Sequence, residues 1–115
     1  MHGDNFPAPV VLLRMLTGYW VSKALTVGAE LGLADLLQDG PRTSDDLAAA
    51  CGADPSTLYR LLRALASVGV FTEVEKHYFA LTPLAELLRS DVPGSMRATA
   101  RMFGSEPYSA WGDLL

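Results

Sequence analysis

Leu58-Tyr59-Arg60-Leu61-Leu62-Arg63-Ala64-Leu65-Ala66-Ser67-Val68-Gly69-Val70-Phe71 carries a helical period straight into a β-forming run through a single glycine. Leu58, Leu61, Leu62, Leu65 and Val68 recur at helical spacing and line up as one apolar stripe, leaving Arg60, Arg63 and Ser67 on the opposite face. Gly69 is the expected stop.

Downstream, Val70-Phe71-Thr72-Glu73-Val74 and Tyr78-Phe79-Ala80-Leu81 are rich in β-formers, with Glu75, Lys76 and His77 as the turn between them. Upstream, Thr43-Ser44-Asp45-Asp46 has the form of a capping box, with the Thr43 hydroxyl placed for the first-turn amides and Asp46 placed to reach back. A helix over Ser44–Cys51 follows and Gly52 ends it. Asp54-Pro55 repeats the start signal, because Asp suits the N-cap and proline suits the first helical position. Two short helices in tandem, the second feeding a hairpin, are the pattern of a winged helix-turn-helix. The expected fold class is therefore mainly α: a winged helix-turn-helix with a small β-hairpin wing and extra N- and C-terminal helices.

The N-terminal extra helix is expected from about Pro9 to about Gly28 and is apolar around most of its circumference, with Leu12, Leu13, Leu16, Tyr19, Trp20, Leu25 and Val27. Gly18, Ser22 and Thr26 fall four apart on one face, which spacing alone leaves open between a solvent stripe and a close helix contact. A short helix is expected over Leu33–Leu37, another from Thr82-Pro83 through Leu88, and a third from about Ser95 to Phe103. A last one, from Pro107, carries Tyr108, Trp111, Leu114 and Leu115 and has no C-cap, so the end of the chain reads as a cut.

A length of 115 residues suits one domain, residues 1–115, with half its residues hydrophobic and a formal net charge of −4. One cysteine, Cys51, excludes an internal disulfide, and no basic-then-apolar leader opens the chain; a cytoplasmic location is expected. Arg14, Lys23 and Glu30 interrupt the apolar run Pro9–Leu31, so no membrane role is expected.

No catalytic, cofactor-binding or metal-ligating constellation is present: there is no Gly-x-Gly-x-x-Gly turn, no phosphate-binding loop and no His/Cys/Asp cluster at metal spacing. His2 and His77 read as surface histidines, Cys51 as a small buried hydrophobe, and Asp45 and Asp46 as first-turn acids. The alternative function that the fold invites is a stand-alone winged-helix DNA-binding transcriptional regulator. Charge opposes it. Between Arg42 and Leu81 the bases Arg42, Arg60, Arg63 and Lys76 face five acids, Asp45, Asp46, Asp54, Glu73 and Glu75, whereas engaging phosphates requires a clear basic surface. Nucleic acid is not an expected partner.

Leu16-Thr17-Gly18-Tyr19-Trp20-Val21, Leu31-Gly32-Leu33-Ala34-Asp35-Leu36-Leu37, the stretch Leu58–Leu65 and Phe79-Ala80-Leu81-Thr82-Pro83-Leu84-Ala85 together resemble the N-terminal dimerisation domain of S-adenosylmethionine-dependent small-molecule O-methyltransferases. The resemblance covers nearly the whole chain. It implies a winged-helix domain that intertwines two subunits and helps wall the pocket for a hydroxylated aromatic or polyketide-type acceptor. In that family a separate Rossmann-like domain binds the methyl donor and carries the catalytic histidine. Neither that glycine-rich motif nor that base is present in these residues, so the chain is expected to be a fragment or truncated relative that is not catalytic by itself. S-adenosylmethionine is implied for the full-length family only.

On this resemblance the substrate-pocket candidates are Tyr19, Trp20, Met102, Phe103 and Trp111, whose aromatic and thioether side chains suit flat rings; core or dimer packing is the alternative for each. The dimer-interface candidates are Leu13, Leu16, Gly18, Ser22 and Leu25, and a homodimer is the expected assembly.

Overall fold

A computed structural model describes residues 6–103. Helix α1 spans Ala8–Leu31 and ends at Gly32, whose φ of 69° is a left-handed cap and whose amide donates to the Ala29 carbonyl at 3.2 Å. The helix passes through Gly28, where the sequence placed its end. A Cβ at Gly28 would stand 3.4 Å from Leu65 Cδ1, so this glycine lets two helices approach and does not stop either.

Short helix α2 (Leu33–Leu36) leads to β1 (Arg42–Thr43), α3 (Ser44–Cys51) and α4 (Pro55–Ser67). The hairpin is β2 (Phe71–Glu75) and β3 (Tyr78–Leu81), and α5 (Pro83–Glu86) and α6 (Arg97–Phe103) complete the described chain. The expected fold class holds. Three N-cap side chains accept where the sequence indicated, although the return bond expected from Asp46 is not formed. Thr43 Oγ1 accepts from the Asp46 amide at 3.0 Å and Asp54 accepts from the Thr57 amide at 3.0 Å. Thr82 Oγ1 accepts from the Ala85 amide at 3.3 Å while donating to the Val70 carbonyl at 2.6 Å, which ties the exit of the hairpin to its entry.

The three strands form one antiparallel sheet in the order β1-β3-β2, with Arg42 opposite Phe79, Phe71 opposite Leu81, and a bulge between Glu73 and Glu75. His77, at φ 68°, makes the turn and donates its amide to the Glu73 carboxylate at 2.8 Å. Strand β1 was not expected; two residues have no period to read, and they become a strand only because the hairpin offers them an open edge.

Beneath the sheet, Leu33, Leu37, Leu47, Leu58, Leu62, Leu65, Phe71 and Phe79 are fully buried. At roughly 1.5–3 kcal/mol for each such side chain, they supply the main stabilising term. The stripe of α4 stops at Leu65, because the helix ends at Ser67 and turns Val68 out to solvent. Cys51 is half-buried. Helix α5 is shorter than expected, α6 begins at Arg97 and not Ser95, and the helix expected from Pro107 lies, with Trp111 and His2, outside the described residues.

Candidate functional site

Helix α1 has two different halves. From Leu12 to Trp20 its large apolar side chains are exposed to solvent over much of their surface: Leu12, Leu13, Met15, Leu16, Tyr19 and Trp20, Met15 to 71%. From Ala24 onward it is packed, with Ala24, Thr26, Gly28 and Ala29 buried against the rest of the chain. Leu13, Leu16 and Gly18 sit on the exposed half, and nothing stands within 4 Å of the position a Cβ would take at Gly18. Ser22 and Leu25 sit at the junction and are partly buried. The Gly18–Ser22–Thr26 face is therefore packed at one end and open at the other.

Besides α4, reached through Gly28 and Leu65, it is α6 that packs the second half. Thr26 Oγ1 donates to the Ala100 carbonyl at 2.7 Å. Arg97 Nε donates to the Ala29 carbonyl at 2.8 Å, placing a cation at the carbonyl end of α1 where the helix dipole favours it. Asp35, 3.8 Å from the Arg97 guanidinium, also accepts from the Ser90 amide at 2.8 Å and hydroxyl at 2.7 Å. These tethers hold residues 90–100 on α1 and α2. Sequence reading missed Arg97 and Asp35, since each partner is more than fifty residues away and the pairing leaves no local pattern.

Between the tethered segments lies an apolar groove of about 280 Å³. Ser22, Leu25 and Thr26 of α1 form its floor, Leu84, Leu87 and Leu88 one wall, and Met96, Thr99, Ala100 and Phe103 the other. Of the pocket-wall candidates, Phe103 lines the groove and Met102 is exposed on the same helix, while Tyr19 and Trp20 lie on the exposed half of α1. The groove carries no acid, base or thiol. Among the described residues no group of three His, Cys, Asp or Glu side chains could hold a metal ion.

The wing is closed on itself. Arg63 NH1 donates to the Tyr59 hydroxyl at 2.9 Å, and Arg63 Nε stands 3.4 Å from the Glu73 carboxylate. The bond to Tyr59 and the charge of Glu73 hold the Arg63 guanidinium more firmly protonated than usual. Tyr59 also packs against His77, with ring centroids 4.4 Å apart and the planes tilted by 38°. One of the two arginines on the helix that would enter a DNA groove is thus engaged by an acid of its own wing.

The sequence profile of the O-methyltransferase dimerisation domain matches residues 13–91. The chain belongs to this family. Phenazine O-methyltransferase PhzM of Lysobacter antibioticus is 53% identical over 109 residues, which are 95% of this chain and 32% of the relative. The crystal structure of LaPhzM superposes with a TM-score of 0.90 at 53% identity, covering 94% of this chain and 32% of that one. The SAH-bound form of CalO1, a methyltransferase of calicheamicin biosynthesis, gives 0.78 at 40% identity over 92% of this chain and 32% of its own. This dimerisation domain spans about a third of the length of the relatives it matches.

The methyl donor does not fit the described surface of this domain. Gly32, Gly40, Gly52, Gly69 and Gly94 each have a positive φ at a cap or turn, none belongs to a glycine-rich strand-to-helix loop, and the groove offers no carboxylate for ribose hydroxyls.

Proposed function

We propose that this domain joins two copies of its protein through α1 and lends apolar surface to the acceptor side of an S-adenosylmethionine-dependent methyltransferase. The proposed acceptor is a hydroxylated aromatic or polyketide-type small molecule, and the proposed location is the cytoplasm. The observation that carries the reading is the exposure of Leu12, Met15, Leu16 and Trp20 on the first half of α1. Leaving this many large apolar side chains in water is uncommon on a monomer and marks an interaction surface. By length and composition α1 could also cross a bilayer, but its second half is built into the core and Arg14, Lys23 and Glu30 would have to be desolvated. Protein, not lipid, is the better cover.

Donor binding and the catalytic base are assigned to residues beyond this domain, consistent with its share of the relatives' length. Sedimentation velocity at micromolar concentration tests the reading. A dimer that dissociates on Leu16→Asp is the expected result, and a stable monomer that keeps α1 helical would reject it.

A further inference from the structure

We propose that Arg97 and Asp35 are positioning residues for the acceptor-side surface: together they fix where α6 holds Met102 and Phe103. The assignment of that surface to the acceptor rests on the function proposed above; the positioning itself does not.

Helix α6 owes little of its place to the core. None of its residues is buried, and Thr99, Ala100 and Phe103 line an open groove, whereas α4 buries Leu58, Leu62 and Leu65. A helix of seven residues is too short to persist in water by itself, so its ties to other elements must hold it. Those ties converge on one carboxylate. Asp35 Oδ1 accepts from the Ser90 amide at 2.8 Å, and Oδ2 accepts from the Ser90 hydroxyl at 2.7 Å while standing 3.8 Å from the Arg97 guanidinium. Asp35 therefore pins both ends of segment 90–97, the strap that leads into α6. Arg97 has a second anchor: its Nε donates to the Ala29 carbonyl at 2.8 Å, and its NH2 lies 3.5 Å from the position a Cβ would take at Gly32. The guanidinium is thus seated on the end of α1, where carbonyls without helical partners favour a cation. Hydrogen bonds from a charged donor are about twice as strong as neutral ones.

Within the strap, Gly94 makes a turn at φ 73° and the Met96 amide donates to the Leu87 carbonyl at 2.6 Å. Met96 is the pivot, and Arg97, the next residue, sets the direction in which α6 leaves it. Thr26 holds Ala100 further along, and Met102 and Phe103 lie exposed beyond both ties. At 1.5 Å per residue Phe103 is about 9 Å from Arg97 along the helix, so a change of direction at Arg97 moves these two side chains most.

Distances between spin labels read the position of α6. In the full chain carrying Cys51→Ala, labels are placed at Ala49→Cys on α3 and Arg101→Cys on α6, both exposed, and labelled chains are diluted into unlabelled ones. The expected result is one narrow distance that Arg97→Met or Asp35→Ala broadens. Arg97→Lys, which keeps a cation within reach of Ala29 and Asp35, should narrow it again. With Arg97→Met and with Asp35→Ala the amides of residues 100–103 should exchange faster by about tenfold or more, while those of residues 58–65 stay unchanged. A distance already broad in the unaltered chain, one equally narrow in Arg97→Met and Asp35→Ala, or exchange that rises in α4 as much as in α6 would overturn the positioning role. A chain that meets these expectations yet stays monomeric would reject the function proposed above and leave the positioning role standing.

Discussion

The hydroxyl of Thr26 reaches the carbonyl of Ala100, 74 residues further along the chain, at 2.7 Å, and Thr26 is only 5% exposed. This buried side chain, together with Arg97, thereby fastens α6 to α1. Thr26→Val keeps the shape and removes the donor, leaving the Ala100 carbonyl short of a partner, at an expected loss of roughly 1–2 kcal/mol. Urea unfolding measures the loss, and hydrogen exchange should rise first in residues 97–103.

Gly18 separates folding from assembly. Within one chain a Cβ there has open space around it, and glycine in a helix interior is worse than other residues by about 1 kcal/mol, so Gly18→Leu should leave the fold as stable or more so. Across a close-packed contact the same change should weaken association by roughly 1–3 kcal/mol. Opposite signs in thermal melting and in dimer dissociation are the expected pair of results.

The Asp54 carboxylate sits below the ordinary aspartate range because it accepts first from the Thr57 amide and then from the Thr57 hydroxyl. A folded-state pKa below the unfolded one makes the contribution fully present above about pH 4, the ordinary aspartate value, and it is lost as pH falls through the lower folded value. Unfolding midpoints of wild type and Asp54→Ala should therefore differ at neutral pH and converge as the solution is acidified toward pH 2. Curves that stay parallel would remove Asp54 from the acid response.

Arg60 and Arg63 are expected to be indifferent to DNA. With Arg63 held by Tyr59 and Glu73, an Arg60→Ala, Arg63→Ala chain should match wild type in fluorescence anisotropy with duplex DNA, both showing at most weak, non-specific binding. Titration calorimetry of the described domain with S-adenosylmethionine should be flat, because neither a glycine-rich loop nor a ribose-binding acid is available.

What the sequence revealed was what is local. Thr43, Asp54 and Thr82 announced their helices because a cap acts within three residues of itself. The return bond expected from Asp46 is missing, since its side chain is a methylene shorter than the glutamate that usually makes it. Gly28 misled because a glycine that ends a helix and one that admits a neighbour look alike in a string of letters; only Leu65, 37 positions away, tells them apart. The groove was invisible for the same reason: Ser22, Val70, Leu84 and Phe103 meet there from separate elements. Leu13, Leu16 and Gly18 could be nominated because an apolar helix without a polar face needs a partner wherever that partner is found.

The contact at Gly28 also turns α1 into a lever. From Gly28 to the start of the helix at Ala8 is about 30 Å at 1.5 Å per residue, so pivoting the helix on Leu65 by about 5° swings its free tip by roughly 2.5 Å. The pitch of that arm is set in the interior, where Gly28 packs on Leu65, and not at its exposed end. Gly28→Ala, a change on the buried side of the helix, should therefore shift the angle between two copies joined through α1 before it alters the strength of their association.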